Sequence, residues 1–100
     1  MRKSPHKLRT LTPFCVIEGY DDLDRVAKAI RVELLKNAIR DKDSTSFVIL
    51  DGSKVFVIET SRLAGHYKVS ENPSNLVGVY SNGASRLEIL DDLNFCFIPS

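Results

Sequence analysis

Phe47-Val48-Ile49-Leu50-Asp51-Gly52-Ser53-Lys54-Val55-Phe56-Val57-Ile58-Glu59 decides how this chain folds. Two apolar runs rich in β-branched and aromatic side chains flank Asp51-Gly52-Ser53-Lys54, and such runs on either side of a turn read as a β-hairpin. Successive side chains of a strand alternate between faces. Val48, Leu50, Val55 and Val57 therefore share one face, and Phe47, Ile49, Phe56 and Ile58 share the other. A two-residue loop at Asp51-Gly52 and a four-residue loop through Lys54 give the same partition. Both faces are apolar, which is the pattern of a sheet covered on both sides.

Upstream of the hairpin, Leu23, Val26, Ala27, Ile30, Leu34 and Ala38 follow the i, i+3, i+4, i+7 spacing of a helix laid on a sheet. Asp21 is the expected N-cap, with Asp22 and Asp24 placing negative charge at the positive end of the helix dipole. A second stripe, Val32, Leu35 and Ile39, runs along the opposite side among Lys28, Lys36 and Arg40. Before the helix, Phe14 to Glu18 reads as a short strand.

Downstream, His66 to Val69 is a candidate short strand. Leu76 to Tyr80 and Arg86 to Leu90 flank Ser81-Asn82-Gly83-Ala84-Ser85 and read as a second hairpin. A three-residue loop with Gly83 in the left-handed conformation would align Val77 and Val79 with Leu87 and Ile89. Asp91-Asp92-Leu93-Asn94 then reads as a turn into a last strand, Phe95 to Ile98. The expected class is α+β: one long helix packed on a curled, mainly antiparallel sheet of five or six strands, in the order β-α-β-β-β-β-β. Residues 13–100 would form this single domain, after a flexible basic arm at 1–12. The order of elements resembles the cystatin-like arrangement in topology, with none of that family's motifs in the chain.

A chain of 100 residues has room for one core. No apolar run approaches the length of about 18 residues that a membrane span needs, and the basic start of the chain is not followed by an apolar stretch. A soluble, cytoplasmic protein is expected. Cys15 and Cys96 both sit in apolar contexts and read as free, buried thiols. Up to Lys42 the chain carries ten Lys and Arg against six Asp and Glu, and after it four against seven. The two parts thus differ in sign.

Motifs for chemistry are sparse. Asp51 and Glu59, followed by Arg62 and Lys68, faintly resemble the carboxylate and lysine grouping of metal-dependent nucleases, but the position two after Glu59 is Ser61 and not lysine. His66-Tyr67 would need positioned partners to act as a general base beside a phenol. No Cys and His spacing suits a metal, and no glycine run forms a phosphate loop, so no metal or cofactor is expected. The leading expectation is a small non-enzymatic protein–protein interaction or regulatory/inhibitor module, acting as a homodimer or as a subunit docked on a partner. Its contact residues would be Val32, Leu35, Ile39, Phe47, Ile49, Phe56 and Ile58, because one helix cannot cover two apolar sheet faces. An alternative is a nucleic-acid-binding protein. Arg2, Lys3, Lys7 and Arg9 of the arm would then act with Arg25, Lys28, Arg31, Lys36 and Arg40 of the helix. A second alternative is a small enzyme with a carboxylate-based site drawn from Asp51, Glu59, His66 and Tyr67.

Overall fold

The first helix forms where its apolar period places it. In a computed structural model, which describes residues 12–59, 76–81 and 83–97, α1 spans Leu23–Arg40. Leu23, Val26, Ala27, Ile30 and Leu34 are buried along its inner face. The expected cap shifts by one residue. A 3-10 turn, Tyr20–Asp22, precedes α1, and the Asp22 side chain at the cap position accepts no bond from the backbone amides of the helix. Its carboxylate instead accepts from the Glu18 amide and the Arg25 guanidinium. Those contacts, Arg25 foremost, hold the Asp22 carboxyl well below the usual carboxylate range, at about 2.

The decisive hairpin consists of β2, Thr45–Asp51, and β3, Lys54–Glu59. Val48 pairs with Val57, Leu50 with Val55, Phe47 with Ile58 and Ile49 with Phe56, so the two faces divide as the alternation requires. β1 is Cys15–Val16, shorter than the expected strand, and pairs antiparallel with β3. β4, Leu76–Ser81, pairs antiparallel with β2. The sheet order is β1-β3-β2-β4. A register shift opposite Val48 and Ile49 lets Val77 join the core facing the helices, while Leu76 packs on the other side with Ile49.

The C-terminal part differs from expectation. Arg86–Phe97 is one helix, α2, in place of two strands and a turn. The second hairpin does not form. β4 bonds to β2, and Ser85 starts the helix: its side-chain oxygen accepts from the Glu88 amide, and its carbonyl from the Ile89 amide. Ser85-Arg86-Leu87-Glu88 is a capping-box sequence. Ile89 and Leu93, one turn apart, are fully buried, with Leu90 and Phe97 packed beside them. Gly83 does take a left-handed conformation, at φ 89°, but in the connection to α2.

Among the described residues, the architecture is thus α+β with two helices and a four-stranded antiparallel sheet, in the order β-α-β-β-β-α. The resemblance to the cystatin-like order ends at α2. The arm before Thr12 and the candidate strand His66 to Val69 lie outside the described residues.

Both helices pack on the valine face of the hairpin. Ile30 and Leu34 of α1, with Ile89 and Leu93 of α2, share a core with Val48, Val55, Val77 and Tyr80. On the opposite face Ile49, Phe56 and Ile58 form a separate cluster. At the end of α1, buried Asn37 donates to Ser46 at 3.1 Å and accepts from Arg40 at 2.9 Å, and Arg40 also pairs with Glu59. These bonds tie α1 to the hairpin. Removing Ser85 as a cap by Ser85→Ala should cost about 1 kcal/mol, and Leu93→Ala about 2–5 kcal/mol, both measured by urea unfolding. Neutral results at both positions would contradict the helical assignment of Arg86–Phe97.

Candidate functional site

The sequence places the candidate contact residues in two groups, and the fold separates them. Ile49, Phe56 and Ile58 are at most 5% exposed, and Phe47 is half-buried against them. That face of the hairpin is buried within the folded chain. Val32, Leu35 and Ile39 have the opposite environment, with exposures of 53%, 37% and 86% on the outer side of α1.

The neighbouring helix extends this surface. Leu87 and Phe95 are 61% and 86% exposed, and with Asp91 between them they fall on one stripe at i, i+4, i+8. Ile89 and Leu93 point into the core, which directs Leu87 and Asp91 away from the sheet and leaves Phe95 exposed at the rim of a cleft beside β4. The two helices pack against each other, joined by an ion pair between Arg86 and Asp24. Leu35 reaches the connection before α2, since a Cβ added at Gly83 would lie 3.2 Å from its Cδ2. Val32, Leu35 and Ile39 on one helix, with Leu87 and Phe95 on the other, are therefore parts of one outward-facing layer.

Charge around the layer is divided between its helices. α1 holds five basic residues against two acidic, a net charge of +3, whereas α2 holds one against three, a net −2. Several of the candidate nucleic-acid contacts are engaged within the chain. Arg25 binds Asp22 and the Val16 carbonyl, Lys28 pairs with Asp24, and Arg40 bridges Asn37 and Glu59. Arg31 and Lys36 make no ion pair with another described residue, and neither do Glu88 and Asp91. Arg2, Lys3, Lys7 and Arg9 lie outside the described residues.

The carboxylates of the nuclease-like grouping do not converge. Asp51 pairs across the hairpin with Lys54, while Glu59 pairs with Ser46 at the far end of the same ladder. At about 3.3 Å per residue they are roughly 16 Å apart. Glu59 is moreover held by Arg40. His66 and Tyr67 lie outside the described residues. Among the described residues, no cluster of His, Cys, Asp and Glu side chains forms a metal site, and no helix is long and apolar enough to cross a membrane.

A cleft of about 530 Å³ opens between the hairpin, β4 and the end of α2, lined by Leu50, Leu76, Val77, Asp92, Phe95 and Cys96 among others. Cys96, exposed on α2 and not in a strand, is a free thiol, as is half-buried Cys15. Burial, with Asp92 alongside, pushes the Cys96 thiol up. That is the wrong direction for a nucleophilic thiolate. Asp92 is committed to Tyr80, whose hydroxyl donates to it at 2.6 Å. Gly78 makes this reach possible, because a Cβ there would fall 2.5 Å from the Tyr80 hydroxyl oxygen.

Sequence reasoning found the α1 half of the layer and missed Leu87 and Phe95, which it assigned to strands. The Ser85 to Glu88 capping box was the signal available for them. No family model, curated protein or solved structure matches this chain.

Burial and the Asp92 carboxylate raise the Tyr80 pKa above its ordinary value near 10. Native Tyr80 then keeps a proton that the unfolded chain releases, so this contribution is complete below about pH 10 and is lost as pH rises beyond it. Unfolding free energy should fall more steeply with pH above about 10 in the wild type than in Tyr80→Phe. Equal slopes would show that the fold does not hold this hydroxyl neutral.

Proposed function

We propose that this chain is a small non-enzymatic protein–protein interaction module of the regulatory or inhibitor kind, docking through the outer face of its helix layer. The observation that carries this reading is the grouping of Val32, Leu35, Ile39, Leu87 and Phe95 on that face, in a chain whose core is already filled by other side chains. Single exposed aliphatics are ordinary on any surface, whereas a contiguous apolar surface rimmed by charge is a feature of interaction sites. Ile39 and Phe95, each 86% exposed, gain the most from leaving water. Burying such a side chain is worth about 1.5–3 kcal/mol.

The opposite sheet face, with Ile49, Phe56 and Ile58 buried, is a weaker candidate for docking. The nucleic-acid reading loses support from the ion pairs that engage Arg25, Lys28 and Arg40. Surface pairs are weak, but each one reduces the positive field available to phosphates.

Photo-reactive amino acids at positions 39 and 95 of the full chain, with position 54 on the exposed hairpin turn as control, test the proposal in cells. Cross-links to protein, whether to another chain or to a second copy, are expected from 39 and 95 and not from 54. No protein adduct from the helix positions, or equal adducts from all three, would overturn it.

A further inference from the structure

We infer that the occupant of the helix layer is a second copy of this chain, packed with two-fold symmetry so that α1 of each protomer lies on α2 of the other. This deepens the docking role proposed above and rests on it. The observation that selects the partner is complementarity of the chain with itself. The apolar stripe of α1 is flanked by Arg31 and Lys36, and that of α2 holds Asp91 between Leu87 and Phe95 with Glu88 beside it, and none of these four charged residues has an ion partner among the described residues. Both stripes face away from the same side of the sheet, so one two-fold contact covers both at once.

Charge also chooses the pairing. Stacking α1 on its own copy would bring Arg31 and Lys36 against the same residues, and stacking α2 on its copy would oppose Glu88 and Asp91 to themselves. The crossed arrangement sets each basic stripe on an acidic one. Because a two-fold contact repeats itself, it seats Ile39 and Phe95 of both protomers and leaves no open end for further growth. The dimensions suffice. α1, with 18 residues, is about 27 Å long. A layer two helices wide presents on the order of 500 Å² per protomer, or on the order of 1,000 Å² per dimer, which reaches the lower bound for a specific interface.

Sedimentation of the full chain at micromolar concentration tests this with a charge swap. The wild type is expected to be a dimer. Arg31→Glu with Lys36→Glu makes both helices acidic, and Glu88→Lys with Asp91→Lys makes both basic. Each double variant alone should associate roughly tenfold or more weakly, because like charges now meet at both helix contacts. Mixed in equal amounts, the two should form a dimer again, since each acidic helix then meets a basic one. All four positions lie on the outer layer, and circular dichroism verifies that each variant is folded. Ile39→Glu provides an independent route to the monomer. A wild type that stays monomeric would overturn the inference, as would a mixture that fails to recover. A Glu88→Lys, Asp91→Lys variant that dimerises as the wild type does would instead indicate α1 packed on α1. If the wild type is monomeric and position 39 still cross-links to another protein, the docking surface stands and the second copy does not.

Discussion

The hairpin of β2 and β3 has no polar face, and the rest of the molecule is arranged around that constraint. Val48, Leu50, Val55 and Val57 require a cover on one side, and Phe47, Ile49, Phe56 and Ile58 require one on the other. α1 and α2 together supply the first. One helix would leave part of the sheet open, so α2 is needed beside α1, and the Arg86 to Asp24 pair and the Tyr80 to Asp92 bond hold it there. Asn37, Ser46, Arg40 and Glu59 fix where α1 ends on the hairpin. Asn37 and Ser46 are buried and Glu59 is largely so, and each finds its partner within the chain, as low-dielectric surroundings demand.

Much of this was legible in residue spacing, and the exceptions have physical causes. α1 and the hairpin announce themselves because their apolar periods are long and unambiguous. Arg86–Phe97 does not, because its apolar residues fit two periods. Leu87 with Ile89, and Phe95 with Phe97, alternate as in strands, while Ile89, Leu93 and Phe97 repeat at the spacing of a helix. Asp91-Asp92 sits where a turn would suit the first reading. Two non-local facts decide the matter: β4 takes its hydrogen bonds from β2, and Ser85 supplies a helix start. The buried position of Asn37 was not legible either, since its partner Ser46 lies on another element and nothing local marks the pair.

Moving Leu87 and Phe95 from strands to a helix changes where the apolar surplus lies. Read as strands, these residues leave a sheet face open. Folded, the chain buries Ile49, Phe56 and Ile58 and presents Val32, Leu35, Ile39, Leu87 and Phe95 instead. The surface of interest is therefore the outside of the helix layer. The uneven charge noted in the sequence acquires a place as well, with the basic part concentrated on α1 and the acidic part on α2. Opposite charges on neighbouring stripes favour a defined orientation of whatever binds, more than they add to its affinity.

The central claim is that Ile49, Phe56 and Ile58 of the hairpin are buried and that the exposed apolar surface lies on the helices. Paramagnetic relaxation of the isoleucine δ-methyl groups by an inert, soluble gadolinium chelate measures that directly in dilute protein. In the Arg31→Glu, Lys36→Glu variant, whose copies repel one another, strong relaxation of Ile39 with protection of Ile49 and Ile58 is the predicted result. Relaxation of Ile49 and Ile58 as strong as that of Ile39 would contradict it and return the sheet face as the open surface.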